Sequence, residues 1–326
     1  MNENNENNFD VLVVGGGAAG LSAALVLGRA RRRVAVVDAG SPRNAPAAHM
    51  QGFLSRDGMA PADLLAAGRC EAANYGVELL EDHVAEIEPG FAVRLGGGRV
   101  LNARRVLIAT GLSDALPDIP GVRERWGRDL LHCPYCHGWE VRDQPLGVLG
   151  TNPAAVEHAL LIRQWSADIV FFTHTYPLTA DERAALDARG VEVIDGLVAR
   201  LSVVDDRLNA VQLTDGRAFP RAAVFIRPAF HRHKDDPVDS LGCELDESGF
   251  VQVDGTGRTS VPGVWAAGNV ANPRAQVITA AGEGSTAAIA INADLVQEDV
   301  QRAVSANPPS STAIDKSERT PHGKHD

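Results

Sequence analysis

One stretch near the start of the chain constrains the fold more than any other, the run Gly15-Gly16-Gly17-Ala18-Ala19-Gly20. Gly15, Gly17 and Gly20 have the G-x-G-x-x-G spacing that lets a backbone turn tightly against a pyrophosphate at a helix N-terminus. The flanking segments are predicted as a strand over 9–14, a helix over 21–29 and a strand over 34–37. Asp38 follows the second strand, where a carboxylate accepts hydrogen bonds from a ribose. The complete order predicts a βαβ unit that binds a dinucleotide.

Two later strand endings are candidates for the same site. One predicted strand ends in Thr110-Gly111 and another ends in Gly268-Asn269. A helix is predicted over 276–295, and its N-terminus at Gln276-Val277 would face the cofactor, where a helix dipole stabilises negative charge. Each signal alone is also typical of an ordinary βα turn or a packed helix. The glycine motif by itself leaves FAD and NAD open.

The other chemistry-bearing stretch is His132-Cys133-Pro134-Tyr135-Cys136-His137. Two thiols at this spacing can close a reducible disulfide, and the flanking imidazoles can take up or return the proton that thiolate chemistry requires. A zinc site would normally need a second Cys/His pair, and Cys-x-x-Cys-His is also the attachment signature of c-type haem. A purely structural disulfide is the third alternative. A redox pair is the favoured interpretation, while Cys70 and Cys243 are predicted to be buried packing residues.

The middle of the chain repeats the βαβ plan. Strands are predicted over 146–149, 168–172 and 191–194, helices over 154–164 and 182–189, and a meander strand over 207–213. This unit interrupts the first one, so the predicted fold is α/β, with a discontinuous dinucleotide-binding domain over 9–118 and 246–306. An inserted domain over 119–245 carries the Cys-x-x-Cys segment. The ends, 1–8 and 307–326, are polar, lack periodicity and are predicted to be disordered.

Charge and composition argue against several classes of partner. The formal net charge is −11, and the one short basic run, Arg29-Ala30-Arg31-Arg32-Arg33, lies at the C-terminal end of a predicted helix, where cations complement the dipole. Nucleic acid and anionic membranes are therefore not expected partners. No metal is expected, because Cys70 and Cys243 each stand alone and supply no second ligand pair. The start of the chain lacks the basic and apolar regions of a secretion signal, and no apolar run reaches bilayer length. A cytoplasmic location is expected.

Taken in order, these motifs resemble the low-molecular-weight thioredoxin reductases over nearly the whole chain except the termini. The resemblance implies two Rossmann-like dinucleotide-binding domains, FAD as the cofactor of the first, and a homodimer. It also implies that Cys136 is the thiol nearest the flavin and that Cys133 exchanges with substrate. Asn269 stands where the family usually has aspartate, and it is expected to keep the hydrogen-bonding role without the charge. The expected cofactor-binding residues are Gly15, Gly17, Ala18, Ala19, Gly20, Asp38, Ala39, Arg43, Val84, Thr110, Gly111, Gly268, Asn269, Gln276 and Val277.

The second dinucleotide motif departs from the family. Where thioredoxin reductases bind NADPH through Gly-x-Gly-x-x-Ala, this chain reads Gly150-Thr151-Asn152-Pro153-Ala154-Ala155. Asn152 replaces a glycine that lets the backbone close on a pyrophosphate, and Pro153 removes an N–H from the helix N-terminus. The family's His-Arg-Arg cluster is replaced by Thr173-His174-Thr175, which offers no arginine to a 2′-phosphate. NADPH is therefore not expected to be the electron donor.

This departure implies that electrons enter from a dithiol. The pattern resembles the thioredoxin-reductase-like dithiol oxidases that close disulfides in small natural products such as gliotoxin and holomycin. Like them, this chain has a histidine, His137, where reductases carry an acid, and an imidazole can act as the base for a substrate thiol. His132 could assist or merely cap the loop. The expected reaction passes electrons from a small-molecule dithiol through Cys133 and Cys136 to FAD and molecular oxygen, giving hydrogen peroxide. The alternatives are a disulfide reductase fed by NADPH or another donor, and a non-catalytic flavin redox-sensing module.

Overall fold

The computed structural model describes residues 7–233 and 236–307. The strands are β1 (Asn8–Val14), β2 (Val34–Asp38), β3 (Glu78–Glu81), β4 (Val84–Ile87), β5 (Ala92–Leu95), β6 (Val100–Ile108), β7 (Ser113–Ala115), β8 (Leu130–Leu131), β9 (Leu146–Leu149), β10 (Ile169–Phe172), β11 (Glu192–Ile194), β12 (Val198–Val204), β13 (Arg207–Leu213), β14 (Ala218–Pro220), β15 (Ala223–Ile226), β16 (Ala229–His231) and β17 (Val264–Ala266). The helices are α1 (Ala18–Arg29), α2 (Pro61–Ala73), α3 (Val122–Arg125), α4 (Pro134–His137), α5 (Ala154–Ile162), α6 (Ala180–Ala188), α7 (Val238–Leu241) and α8 (Val277–Ala306).

The first sheet is built around β1, whose valines and leucine are buried. Its strand order is β3-β2-β1-β6-β5-β4, and β17 pairs with the C-terminal end of β6. The strands β3, β2, β1, β6 and β17 are parallel, whereas β4 and β5 form an antiparallel pair beside β6. Parallel strands covered on both faces need continuous apolar sequence rather than alternation, and β1 and β2 have it. Because α1 connects β1 to β2, the predicted βαβ unit is confirmed.

Helices α1 and α8 pack together on one face of this sheet. Their apolar side chains share a core cluster with β1 and β2. A Cβ on Gly284 would overlap the backbone of Ala19, so glycine allows the two helices to touch at this point. The other core cluster joins β4, β5 and α7 to β1 and β6.

The second sheet has the order β11-β10-β9-β15-β8, and all its strand pairs are parallel. Helix α5 joins β9 to β10 and α6 joins β10 to β11, so the βαβ plan is repeated as predicted. Both helices contribute to one core cluster. The antiparallel meander β12-β13-β14 contributes to a second core cluster of this unit. The predicted α/β fold with two Rossmann-like units is confirmed.

A two-stranded antiparallel ribbon connects the two units. Strand β7 leaves the first unit and β16 returns to it, with Ala115 paired to Ala229. After the ribbon, Val238 and Cys243 are buried in the core of the first sheet. The segment 238–245 was predicted as the end of the inserted domain. It packs instead with the first unit, because its apolar side chains are buried there.

The chain ends and one cysteine also differ from prediction. Strand β1 begins at Asn8, and the carbonyl of Asn7 accepts a hydrogen bond from the amide of Asn102, so strand pairing starts before residue 9. Cys70 is exposed on α2 and is not a packing residue, because the buried face of that helix carries other side chains. Residues 1–6 and 308–326 lie outside the described part of the chain. Within the described part, no helix is long and apolar enough to cross a membrane.

Candidate functional site

The turn after β1 forms an open cradle. Gly15 has a φ of +107°, and a Cβ at this residue would overlap the carbonyl of Ala109. A Cβ on Gly20 would overlap the carbonyl of Gly15 in the same way. Gly17, by contrast, has no atom within 4 Å of the position that its Cβ would occupy. Two glycines are therefore needed for the close turn, and the third leaves room for a ligand.

FAD fits this cradle through its pyrophosphate. Gly17 is the N-cap of α1 and provides no side-chain hydrogen bond to the first turn of that helix, which begins with Ala18 and Ala19. Such uncapped N–H groups bind an anion well, and the helix dipole adds to the attraction. The first turn also contains no acidic residue that would repel a phosphate.

The carboxylate of Asp38 lies beside the same turn. A Cβ on Gly16 would come within 2.5 Å of its Oδ2 atom. Arg69 donates to Oδ2 at 2.5 Å, and the amide of Gly40 donates to Oδ1 at 3.3 Å. Further lone pairs of the carboxylate can accept hydrogen bonds from ribose hydroxyls. Ala39, next to Asp38, is exposed. No sequence motif indicated that Arg69 would contact Asp38.

The last glycine motif meets the first one at α1. Gly268 has a φ of +77°, and a Cβ on it would lie 3.0 Å from the Cβ of Ala19. The amide of Gly268 donates to Oε2 of Glu283 at 2.9 Å, and Nδ2 of Asn272 donates to Oε1 at 2.7 Å. Glu283 on α8 thus holds the loop that follows β17.

The side chain of Asn269 is a double donor. Its Nδ2 donates to the carbonyls of Asn272 and Ala275, both at 3.0 Å. A carboxylate has no N–H group and could make neither bond. The two bonds therefore require an amide at this position, and the Oδ1 atom of Asn269 is left as an acceptor that a bound cofactor could use.

The Thr110-Gly111 turn is tied to the return segment of the chain. Thr110 Oγ1 donates to Oδ2 of Asp236 at 2.7 Å, and Gly111 has a φ of +78° with open space around it. Burial raises the pKa of the Asp236 carboxyl. The sequence did not indicate that Asp236 would contact Thr110, because the two residues are 126 positions apart in the chain.

The other predicted cofactor residues lie in three places. Gln276 is the N-cap residue of α8, without a side-chain capping bond, and Val277 is the first residue of that helix. Val84 is buried in β4. Arg43 pairs with Asp114 on β7. Cofactor contacts of these four residues stay a prediction.

The redox segment lies at the start of the second unit. Cys133 and Cys136 form a disulfide, and their Cα atoms are 5.2 Å apart. Cys133 is the N-cap of α4, and its Sγ accepts a hydrogen bond from the amide of Cys136 at 3.2 Å. When the pair is reduced, the same N–H can stabilise a thiolate on Cys133. Among the residues that the structure describes, no group of three or more His, Cys, Asp or Glu side chains is placed to hold a metal.

The two histidines that flank the disulfide have different surroundings. Burial lowers the pKa of His137, and nearby Glu140 opposes that shift. The lowered pKa favours the neutral imidazole of His137 at neutral pH. Burial also lowers the pKa of His132, whose Nδ1 donates to the carbonyl of Ile226 at 3.2 Å. This bond to the backbone suits a structural role for His132 better than proton transfer.

Exposed aromatic side chains stand next to the disulfide. Tyr135 is 63% exposed and Trp139 is 65% exposed. Tyr135 packs edge-on against Trp165, with ring centroids 5.5 Å apart. A Cβ on Gly138 would lie 2.9 Å from the indole of Trp165, so glycine lets that ring approach the segment. These rings offer an apolar surface to a substrate near the reacting sulfurs.

In the second nucleotide motif, the side chain of Asn152 is hydrogen-bonded within the protein. Nδ2 of Asn152 donates to the carbonyl of Arg227 at 2.7 Å, just beyond the end of the adjacent strand β15. Pro153 is the N-cap of α5. A pyrophosphate cradle needs open space and free N–H groups at this turn, as Gly17 provides in the first unit. Here the turn carries Asn152 and Pro153 at the two positions that precede α5.

The segment Thr173-His174-Thr175, which stands in place of the basic cluster, also makes a hydrogen bond within the protein. Nδ1 of His174 accepts a hydrogen bond from the amide of Val198 at 3.0 Å. An open cavity of about 370 Å³ lies here, and Arg183 from α6 lines it together with His174. Arg183 forms an ion pair with Asp195 at 2.8 Å. The cluster itself offers no arginine, as expected, but the fold brings one to the cavity from a helix.

Comparison with known proteins identifies the family. The family model for pyridine nucleotide-disulphide oxidoreductases matches residues 9–284. This chain belongs to that family. Thioredoxin reductase sirT of Leptosphaeria maculans is 32% identical to it, over 90% of this chain and 96% of the relative. Thioredoxin reductase aclD of Aspergillus oryzae is 30% identical, over 89% of this chain and 98% of the relative.

Solved structures agree with this assignment. The crystal structure of HlmI has a TM-score of 0.90 and 59% identity, and the match covers 92% of this chain and 96% of HlmI. An oxidoreductase from Agrobacterium tumefaciens has a TM-score of 0.84 and 38% identity, covering 89% of this chain and 99% of the other. The resemblance to thioredoxin reductases is thus confirmed. The protein is a flavin-dependent disulfide oxidoreductase with FAD as its cofactor.

Proposed function

We propose that this protein is a dithiol oxidase that forms a disulfide in a small-molecule dithiol and uses molecular oxygen as the electron acceptor. The overall reaction converts the dithiol and oxygen into the disulfide and hydrogen peroxide. The observation that carries the proposal is the closed second nucleotide turn, where Asn152 bonds to the carbonyl of Arg227. A second turn that uses its own side chain in this way is a poor match for a pyrophosphate, and a substrate dithiol is an alternative to a nicotinamide as the source of electrons.

The redox segment can carry out the thiol chemistry in two exchanges. Neutral His137 accepts the proton of the first substrate thiol, and the resulting thiolate attacks the sulfur of Cys133. The bond between Cys133 and Cys136 breaks, and a mixed disulfide forms. Cys136 leaves as a thiolate and takes the proton of the second substrate thiol. The resulting substrate thiolate attacks the substrate sulfur of the mixed disulfide, the cyclised product is released, and Cys133 leaves as a thiolate that takes the proton held by His137. When bound, FAD supplies the two-electron chemistry that reoxidises the cysteine pair and converts oxygen to hydrogen peroxide.

The proposal is tested by anaerobic mixing of the purified yellow protein with dithiothreitol and, separately, with NADPH. We expect dithiothreitol to bleach the visible absorbance of the flavin and NADPH to leave it unchanged. Admission of air should restore the absorbance and release peroxide in proportion to the dithiol consumed. Cys136→Ser should abolish bleaching by the dithiol and retain FAD, which separates thiol chemistry from direct reduction of the flavin.

Rapid bleaching by NADPH would overturn the proposal and favour a disulfide reductase. That second candidate has one observation in its support, because Arg183 lines the cavity beside His174, where a nucleotide phosphate would bind in a reductase. Bleaching by dithiol without sustained oxygen consumption would instead favour a redox-sensing module. We also propose a homodimer in the cytoplasm, and sedimentation equilibrium of the holoprotein tests the dimer.

A further inference from the structure

Arg43 makes its contacts at the junction between the two units. Its Nε and Nη2 atoms donate to the two carboxylate oxygens of Asp114 at 2.8 and 2.6 Å. Its guanidinium carbon lies 5.0 Å from the ring centroid of Phe230. Asp114 and Phe230 are paired with each other across the ribbon formed by β7 and β16. The side chain of Asp114 is only 6% exposed, so this bidentate pair is sheltered from water.

Phe230 in turn contacts His132. The two ring centroids are 5.2 Å apart, and the ring planes meet at 85°. His132 is held on two further sides, by its hydrogen bond to Ile226 and by the ring of His158 at 5.8 Å. His158 is 2% exposed. Burial, with a smaller contribution from His132, lowers the pKa of His158 to about 3. His158 is therefore an uncharged side chain that packs beside His132.

We propose that Arg43 is a positioning residue for the redox disulfide and acts through Phe230 and His132. Arg43 belongs to the first unit, whereas His132 directly precedes Cys133 in the second. The salt bridge fixes the planar guanidinium, the guanidinium holds the Phe230 ring, and the ring holds His132 in one orientation. The proposal rests on the proposed oxidase function, since it concerns how Cys133 is presented to a dithiol.

Positioning of this kind affects the rate of thiol exchange more than substrate affinity. A thiolate must approach the Cys133 sulfur along a defined line, so a displaced backbone at His132 raises the barrier. A dithiol as small as dithiothreitol has no atoms that need to contact Arg43. Loss of the contact chain should therefore lower the limiting rate of flavin reduction and leave the dithiol concentration at half-maximal rate unchanged.

The experiment measures anaerobic flavin reduction by dithiothreitol in Arg43→Gln, Phe230→Leu and the double variant. We expect each single variant to lower the limiting rate about tenfold. We expect the double variant to be no slower than the slower single variant, because both substitutions break the same chain of contacts. Arg43→Lys keeps a cation near the ring and should recover part of the rate.

Arg217→Gln is the matched control. Arg217 also lies over a phenylalanine, Phe219, at 5.8 Å and pairs with an aspartate, Asp215, but it stands on the meander. This variant should reduce its flavin at the wild-type rate. If dithiothreitol fails to reduce the flavin of the wild-type protein, the proposed oxidase function is wrong. That result is distinct from failure of the positioning role.

Three results would overturn the positioning role. The first is a wild-type limiting rate in folded, FAD-containing Arg43→Gln. The second is multiplicative slowing in the double variant, which would mean that the two side chains act independently. The third is loss of FAD from Arg43→Gln but not from Phe230→Leu, which would show that Arg43 contacts the cofactor instead. Thermal unfolding and the ratio of FAD to protein, measured for every variant, distinguish these results from simple misfolding.

Discussion

The amide of Asn269 holds together a loop that a carboxylate would push apart. Its two hydrogen bonds to the carbonyls of Asn272 and Ala275 connect the end of β17 with the start of α8. With aspartate, both carbonyls would face oxygen atoms that carry no proton. Leaving a half-buried acceptor without its donor costs up to about 1–3 kcal/mol.

We expect Asn269→Asp to lower the melting temperature and to weaken FAD retention, although it restores the residue usual in the family. Differential scanning calorimetry of the holoprotein and FAD content after gel filtration measure the two effects. Asn209→Asp adds the same charge at an exposed position on β13 and should change neither quantity. An Asn269→Asp protein that matches the wild type in both would contradict the double-donor role.

The pH dependence of the thiol reaction should identify the base. Burial lowers the pKa of His137 below its usual value near 6.5, so the ring stays neutral, and able to accept a proton, to a lower pH than an exposed histidine would. We expect the rate of flavin reduction by dithiothreitol to hold constant as the pH falls through 6.5 and then to decline, after correction for the thiolate fraction.

In His137→Gln the decline of the rate at low pH, which we call the acid limb, should disappear. The rate at neutral pH should drop about 10²-fold. The exposed His83 provides the control, because His83→Gln removes a histidine far from the disulfide in sequence and should keep the wild-type profile. An unchanged acid limb in His137→Gln would assign the proton transfer to another group.

At the scale of whole elements, ion pairs accompany the extension of α8 beyond its buried positions. The helix was expected to end near residue 295, where its buried apolar positions stop, but it continues to Ala306. Arg105 pairs with Asp294 at 2.6 Å and with Glu298 at 2.7 Å, and Arg32 pairs with Asp299 at 2.9 Å. These partners come from β6 and from the segment after α1, so periodicity within the helix could not reveal them.

The elements that could be predicted are those whose signals are local. The glycine turn, the buried valine strands and the Cys-x-x-Cys segment each depend on neighbours in the chain, and the structure has all three where the sequence indicated. Glu283, Asp236 and His158 were missed, because their roles arise only when distant segments meet. For the same reason the return into the first unit was placed several residues too late.

The closed second turn leads to a prediction about Asn152. We expect Asn152→Gly to lower the free energy of unfolding by about 1–2 kcal/mol, through loss of the hydrogen bond to Arg227 and the added flexibility of glycine. NADPH should still fail to bleach the flavin, because Pro153 and the missing cluster of arginines remain. Urea denaturation and anaerobic titration measure the two outcomes. Fast bleaching by NADPH in this variant would mean that a single side chain closes the site.

At the scale of the molecule, the ribbon between the units predicts that the first unit can fold alone. Ala115 and Ala229 are paired across β7 and β16, so residues 116–228 can be replaced by the two-residue turn Asn-Gly without stretching the chain. We expect the shortened protein to be monodisperse and yellow, with its flavin no longer reduced by dithiols. Gel filtration, absorbance and anaerobic mixing test this.

Gly17→Val in the shortened protein is the companion variant. The space around Gly17 is open, so a valine would fill the cradle without disturbing the turn. This variant should fold and remain colourless. A shortened protein that aggregates, or that folds but lacks FAD with Gly17 intact, would show that the first unit depends on the second.

The side chain of Asn152 links the turn before α5 to the end of β15, so the turn is a joint between a helix and a strand. A substitution that opened the turn would lose this hydrogen bond, and with it folding free energy, before any second substitution could build a phosphate site. Access of this turn to a nucleotide phosphate is therefore coupled to the stability of the second unit.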